Sequence, residues 1–212
     1  MYTPVITDTS KKFGNNRWLA YSNKLKRTVY LFSDLEYEHW LHLEFNSNVK
    51  NFCEQPLRVS FIAEKKQLSS IFDMWIQYED GYEEFIEIKY TSDLSKEKVI
   101  KQINIQKRWC ESNLKNHRIV TEQEIKQSSI KLSNMKLIIN MIKTPIEDLV
   151  VLEKIKKVIS VASQKMTIDQ LSYHSKISNS QTLIVIAHLI YLNEIRSNYN
   201  LMPFGKKTEV WL

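Results

Sequence analysis

The sequence predicts an α/β domain followed by a small, mainly helical domain. Three patterns in the first part of the chain support an α/β fold: a capped helical pattern, a pair of strand-like runs around an acidic turn, and a strand-like run after a further helix. These patterns cover residues 33–47, 71–90 and 117–122. Helical patterns dominate near the end, so we expect domains at 1–144 and 145–212.

Composition narrows the class of protein. The chain has 212 residues, of which 43% are hydrophobic and 25% charged, as in ordinary globular proteins. No apolar run approaches the roughly 20 residues needed to cross a bilayer. Cys53 and Cys110 are the only cysteines and form no Cys-x-x-Cys pair, which argues against a disulfide scaffold or a thiolate zinc site. We expect a cytoplasmic protein without a membrane partner.

The charge favours a polyanionic partner. The net charge is +6 and the isoelectric point is about 9.1. Basic and aromatic side chains alternate in residues 9–33, which is typical of a nucleic-acid surface but equally of a solvated arm. The basic residues that we expect to bind DNA here are Lys11, Lys12, Arg17, Lys24, Lys26 and Arg27. A predicted helix from Ser95 to about Ser112 adds Lys96, Lys98 and Lys101, which could line the DNA path or be solvated.

Residues 33–47 carry a helix start signal. Ser33 is followed three positions later by Glu36, the spacing of a capping box. Apolar residues lie around much of the helix circumference, which indicates a buried helix. Taken locally, Glu36 could therefore serve only to satisfy a backbone amide at the helix start.

The segment 71–90, IFDMWIQYEDGYEEFIEIKY, predicts a β-hairpin with charged residues inside its strands. Side chains alternate between faces of a strand, so Glu87 and Lys89 share one face. A two-residue loop would pair Asp73 with Ile88, on the wrong face for Glu87. A three-residue loop, 79–81, with glycine in the left-handed position pairs Asp73 directly with Glu87. We expect this odd-length loop.

Such a register places two carboxylates opposite each other. They repel, and neither is easily removed from water, so a proton, a basic neighbour or a divalent cation must compensate them. Lys89 can offset one charge. Mg²⁺ prefers oxygen ligands of this kind and retains positions for water and phosphate. The hairpin therefore predicts a magnesium site with a lysine beside it.

The order of these segments resembles a known nuclease family. Asp followed by Glu-x-Lys on the next strand resembles the PD-(D/E)XK nucleases. SDLEYEHWLHLEF, VKNFCEQPLRVSF, IFDMWIQ, FIEIKY and HRIVTEQEI together resemble the TnsA family, the endonuclease subunits of heteromeric cut-and-paste transposases. The similarity extends over about residues 20–125. It implies a restriction-endonuclease-like mixed β-sheet flanked by helices, with a small C-terminal winged-helix-like α domain.

The resemblance also implies an activity and a site. It implies a Mg²⁺-dependent DNA endonuclease, with Mn²⁺ as a substitute, that cleaves the 5′ ends of a transposon in the bacterial cytoplasm. Its partners would be transposon-end DNA, a TnsB-type DDE transposase and a TnsC-type AAA+ regulator. Glu87 stands where some family members have Gln. The catalytic residues implied are Glu36, Asp73, Glu87 and Lys89, and the metal ligands are Glu36, Asp73, Glu87 and the carbonyl of Ile88.

Two alternatives remain open from the sequence. The same site would serve a stand-alone restriction-like or repair nuclease. The fold could also belong to a catalytically silent module that binds DNA or protein. In the C-terminal domain, residues 180–195 contain no Lys or Arg, which favours protein contacts over major-groove contacts for the second helix of the expected helix-turn-helix.

Overall fold

The computed structural model describes residues 1–6, 16–63 and 66–212. The chain forms two compact units, Met1–Gln127 and Ser128–Leu212. The first unit holds the strands and helices expected for the α/β domain. Its elements are β1 (Trp18–Ser22), β2 (Arg27–Leu31), α1 (Asp34–Phe45), β3 (Val49–Glu54), β4 (Arg58–Ala63), β5 (Lys66–Ile71), β6 (Met74–Tyr78), β7 (Glu83–Lys89), α2 (Glu97–Ser112), β8 (Asn116–Thr121) and α3 (Glu122–Ile125).

The first unit contains a mixed four-stranded sheet in the order β3-β6-β7-β8. β3 and β7 each pair antiparallel with β6, whereas β8 pairs parallel with β7. A parallel pair needs a crossover, which α2 supplies between the two strands. β1 with β2 and β4 with β5 form separate antiparallel hairpins. The predicted α/β class with a mixed sheet flanked by helices is confirmed.

The β6–β7 hairpin has the predicted register. The Tyr78 amide donates to the Tyr82 carbonyl at 2.9 Å, which closes the three-residue loop 79–81. Gly81 has a φ of +87°, a left-handed conformation that glycine adopts without strain. Continued by one position beyond β6, this register sets Asp73 opposite Glu87. The paired residues in the strands are Met74 with Ile86, Trp75 with Phe85, Ile76 with Glu84 and Gln77 with Glu83.

Both faces of the sheet are covered. On one face Phe85 packs against Phe72 and, from α2, Trp109, with ring centroids 4.7 Å and 5.4 Å away. α1 also contacts the sheet, and it is buried around most of its circumference, as predicted. Its N-terminus is capped by Ser33, whose hydroxyl accepts a hydrogen bond from the Glu36 amide at 3.1 Å. Because both faces of the sheet are covered, charged side chains on its inner strands are buried as well.

The second unit contains four helices and a three-stranded antiparallel sheet. The helices are buried against one another mainly through Ile and Leu side chains. The sheet has the order β10-β11-β9. The elements are α4 (Ser129–Met141), α5 (Leu149–Val161), β9 (Met166–Thr167), α6 (Ile168–Ser175), α7 (Asn179–Tyr191), β10 (Arg196–Ser197) and β11 (Glu209–Trp211). The expected winged-helix identity of this unit stays a prediction.

The division between units falls earlier than the expected boundary at 144/145, because α4 belongs to the second unit. The side-chain amide of Asn134 in α4 donates to the carbonyls of Tyr199 and Met202 at 2.6 Å and 2.7 Å. Its oxygen accepts from the Phe204 amide at 2.9 Å. No helix in the part of the chain that the structure describes combines the length and apolarity that crossing a bilayer requires.

Candidate active site

Asp73 is held in place by the main chain on both sides. It directly precedes β6, and its amide donates to the Ile86 carbonyl at 3.1 Å. Its own carbonyl accepts from the Gln55 amide at 3.0 Å. Its carboxylate Oδ2 accepts from the Ile88 amide at 2.7 Å. The side chain is therefore oriented by backbone donors, as a ligand or catalytic carboxylate needs to be.

Glu87 lies beneath α2 and is fully buried, with 0% of its surface exposed. Gln102 Nε2 donates to one carboxylate oxygen, and Gln106 Nε2 donates to the other at 2.6 Å. His117 Nε2 in turn contacts Gln106 Oε1 at 3.1 Å. Neither glutamine was predicted from the sequence as a site residue. Their signal was two amides four positions apart on the buried side of an amphipathic helix.

Lys89 stands between the two hairpin carboxylates. Its Nζ forms ion pairs with Glu87 and, at 3.5 Å, with Asp73. It also donates to the Ile88 carbonyl at 3.2 Å. Burial lowers the pKa of Lys89, but Asp73 and Glu87 raise it, and the net shift is upward. Lys89 is consequently an ammonium, and a role for its neutral amine as a base is disfavoured in this arrangement.

Glu36 serves the helix cap and also lines the cleft. One carboxylate oxygen accepts from the Ser33 hydroxyl at 3.1 Å. The other accepts from the Phe32 amide at 3.0 Å and from Gln55 Nε2 at 3.1 Å. Burial, with the charge of Asp73, raises the pKa of Glu36 to about 7. The two readings of Glu36 from the sequence, local cap and site residue, are thus compatible.

The site carries more negative charge than its one lysine can offset. Burial and then Asp73 raise the pKa of Glu87 to about 8, and burial raises the pKa of Asp73. Such a set of oxygen donors suits a hard divalent cation in its chemistry. Among the described residues, however, no three His, Cys, Asp or Glu side chains are grouped as a metal site. Lys89 joins Asp73 with Glu87, while Glu36 is held separately by its own partners.

Two clefts flank these residues. The larger, of about 840 Å³, is lined by Glu36 and Asp73 together with residues of the β4–β5 hairpin and α2. The smaller, of about 550 Å³, is lined by Glu36, Ile88 and Lys89. Four of the basic residues expected to bind DNA also line them: Arg17 and Lys101 in the larger, Lys96 in the smaller, and Lys98 in both.

The other basic residues expected to bind DNA do not share this position. Lys24 Nζ donates to the carbonyls of Asn46 and Val49 at 2.6 Å and 2.7 Å, so it braces the chain between α1 and β3. The Arg27 guanidinium forms a bidentate ion pair with the buried carboxylate of Glu54, with both N–O distances 2.7 Å. These two side chains have structural partners. Lys26 lies in the β1–β2 turn with a φ of +56°, and Lys11 and Lys12 lie outside the described residues.

Comparison with protein families identifies the first unit. The model of the TnsA-like endonuclease N-terminal domain matches residues 46–122. Comparison with curated proteins gives no match. The matched segment includes Asp73, Glu87, Ile88 and Lys89, and it runs from just after α1 to the start of α3. The chain therefore carries a TnsA-like endonuclease domain within its first unit.

Proposed function

We propose that the protein is the Mg²⁺-dependent DNA endonuclease subunit of a cut-and-paste transposase, and that it hydrolyses phosphodiester bonds at the 5′ ends of the element. The observation that carries the proposal is the meeting of Asp73, Glu87 and Lys89 beside a cleft, inside the segment that matches the TnsA-like domain. The raised pKa values of Glu36 and Glu87 add support, since burial and then the charge of Asp73 disfavour their ionised forms in the absence of a further cation.

The residues that would hold Mg²⁺ are Asp73, Glu87, the carbonyl of Ile88, and Glu36. Asp73 is already oriented by the Ile88 amide, whereas Lys89 contacts the Ile88 carbonyl and both hairpin carboxylates. The proposed ligands of Mg²⁺ are therefore also the present partners of the Lys89 ammonium. A bound Mg²⁺ would lower the pKa of water and offset charge on the phosphate.

Lys89 would also interact with the phosphate of the substrate. Its ammonium lies at the junction of the two hairpin carboxylates and lines the smaller cleft, where a scissile phosphate can enter. There it can bind a nonbridging phosphate oxygen and offset the charge that develops during an in-line displacement. Gln102 and Gln106 keep Glu87 oriented throughout, because their amides hold its two oxygens.

Arg17, Lys98 and Lys101 supply the expected path for the DNA backbone. All three line the larger cleft that Glu36 and Asp73 also line. Lys101 is paired with Glu97 at 2.6 Å, so Lys98 is the better candidate for a phosphate contact. Transposon-end DNA, a TnsB-type DDE transposase and a TnsC-type AAA+ regulator are the partners proposed, and the second unit is proposed to contact protein.

The experiment is cleavage of DNA that carries element ends, with and without Mg²⁺, by the chain alone and with a DDE transposase and an AAA+ regulator from the same locus. We expect Mg²⁺-dependent 5′-end cleavage in the complete mixture, abolished by Asp73→Asn and retained by the matched control Asp80→Asn in the hairpin loop. Cleavage of any DNA by the chain alone would favour a stand-alone nuclease. DNA binding without divalent-cation binding or cleavage would favour a silent module and contradict the proposal.

A further inference from the structure

We propose that Gln55 is a further member of the active site, and that its side-chain amide oxygen is a ligand for the divalent cation that Glu36 and Asp73 hold. The inference rests on the proposed function, because it adds a residue to the same cation site. Gln55 directly follows β3, and it lines the larger cleft together with both acids.

Gln55 physically joins the two acids. Its backbone amide donates to the Asp73 carbonyl at 3.0 Å. Its side-chain Nε2 donates to Glu36 Oε2 at 3.1 Å. Asp73 belongs to the β6–β7 hairpin and Glu36 to α1, so this one residue fixes the distance between carboxylates from two separate elements.

The remaining polar atom of Gln55 has no partner. The residue is buried, with 4% of its surface exposed, and its Oε1 is inaccessible and accepts no hydrogen bond from the described residues. A buried amide oxygen without a donor is unfavourable, and such groups are rare in folded proteins. Because Glu36 holds Nε2, the amide cannot turn to satisfy its oxygen without losing that bond. This unsatisfied oxygen belongs to a residue that lines the cleft beside Glu36 and Asp73, and it is the observation behind the proposed ligand.

The backbone of Gln55 has a strained conformation, which contacts with neighbouring residues maintain. Its φ is +38°, in the left-handed region that most residues other than Gly and Asn rarely adopt. Pro56 follows, and a residue before proline prefers extended backbone. The Val5 amide donates to the Gln55 carbonyl at 2.9 Å, so main-chain bonds hold the residue on both sides. Strain kept in this way is found at functional sites.

An amide oxygen also fits the charge of the site. Amide carbonyls are oxygen ligands for hard divalent cations and add no charge. Burial, and then repulsion from Asp73, already raise the pKa of Glu36 and Glu87, and a further carboxylate would increase that repulsion.

The test is a titration of the protein with Mn²⁺ alone. The electron paramagnetic resonance signal of the free ion measures how much Mn²⁺ is bound. Gln55→Met removes the oxygen at nearly constant volume. Gln55→Asn keeps an amide but shortens it, and Asn tolerates a positive φ, so this variant decides the question if the Met variant does not fold. The matched control is Gln77→Met, since Gln77 Nε2 makes the same kind of bond to Glu83, at 3.1 Å, at the loop end of the hairpin.

We expect both Gln55 variants to weaken Mn²⁺ binding by about tenfold or more, while Gln77→Met binds like the wild type. Gln55→Glu, which retains an oxygen, is expected to regain most of the affinity at pH 8. Unchanged affinity in the folded Gln55 variants would overturn the inference while leaving the proposed function intact, provided that Asp73→Asn still abolishes binding. If the wild type binds no Mn²⁺, both proposals fail. A Mn²⁺-loaded wild-type crystal gives an independent decision: a metal–Oε1 distance of about 2.1 Å supports the inference, and a gap occupied by water refutes it.

Discussion

The Ile88 amide donates a 2.7 Å hydrogen bond to the Asp73 carboxylate across the hairpin. This bond ties a candidate metal ligand to the backbone beside Glu87. Lys89 Nζ approaches the same Asp73 oxygen at 3.5 Å, so its ammonium offsets part of the negative charge at this position.

Replacing Asp73 by Asn should separate activity from folding. Asn keeps an acceptor for the Ile88 amide and removes one charge from a crowded acidic site, so the metal-free protein should be no less stable. DNA cleavage should fall by about a thousandfold, as expected when a preorganised electrostatic group is lost. The measurements are the cleavage rate and the midpoint of urea unfolding. Loss of folding in this variant, or retention of full activity, would contradict the assignment.

The metal-free protein should lose stability as the pH rises from about 5 to 8. Glu36 and Glu87 have folded-state pKa values of about 7 and about 8, above the ordinary 4.5. A raised carboxyl pKa contributes stability that is complete below pH 4.5 and is lost as the pH passes through the folded-state value. Thermal melts across this range measure it. Adding Mg²⁺ at pH 8 should restore stability, because the cation replaces the protons.

Glu87→Gln is the control for that pH dependence. Gln keeps the shape of the side chain and cannot ionise, so the decline between pH 5 and 8 should become shallower and the response to Mg²⁺ weaker. A decline identical to that of the wild type would show that Glu87 is not the group responsible.

His39 should make the protein sensitive to acid. It lies on α1 and its side chain is buried. This burial lowers its pKa from 6.5 to about 3. A lowered folded-state pKa means that stability is complete above pH 6.5 and is lost as the pH falls towards 3, because the unfolded chain takes up the proton first. His39→Met should therefore unfold at lower pH than the wild type. His174→Met, at an exposed position on α6, should leave the acid transition unchanged.

Arg27 should be needed for stability rather than for DNA affinity. Its partner Glu54 is 0% exposed, so Arg27→Met leaves a buried carboxylate unpaired. We expect a loss of about 3 kcal/mol in the free energy of unfolding. Lys26→Met, in the neighbouring turn, is the control and should have little effect. A large fall in DNA affinity with unchanged stability would instead support the role that the sequence suggested for Arg27.

Lys98 should contribute to DNA binding through a phosphate. Lys98→Ala should weaken binding equally for different sequences and lower the slope of log affinity against log salt by about 1. Lys157→Ala, on the exposed face of α5, is the matched control. Titrations at several salt concentrations measure both. An unchanged slope for Lys98→Ala would remove this residue from the DNA path.

Local rules predicted the hairpin and the capped helix well. Alternation and turn chemistry were enough to set Asp73 opposite Glu87, because the register depends on residues close in the chain. Longer-range pairing was not accessible in this way. Asn134 binds residues more than sixty positions away, and this places α4 in the second unit. Only the tertiary structure brings Arg27 next to Glu54. A side chain that the sequence predicted to bind DNA therefore has a structural partner.

The neutral residues of the site were missed for a different reason. The acids and the lysine could be predicted because they are charged residues within strand-like segments. Gln55, Gln102 and Gln106 carry no charge, and their spacing from these charged residues follows no known motif. Their importance follows from hydrogen bonds to Glu36 and Glu87 that only the folded chain creates.

The most direct test of the central claim is an anomalous diffraction map from a crystal of the protein soaked in Mn²⁺. We expect one strong peak bonded to the carboxylates of Asp73 and Glu87. A crystal that takes up no ion there, with Lys89 still joining the two acids, would contradict it.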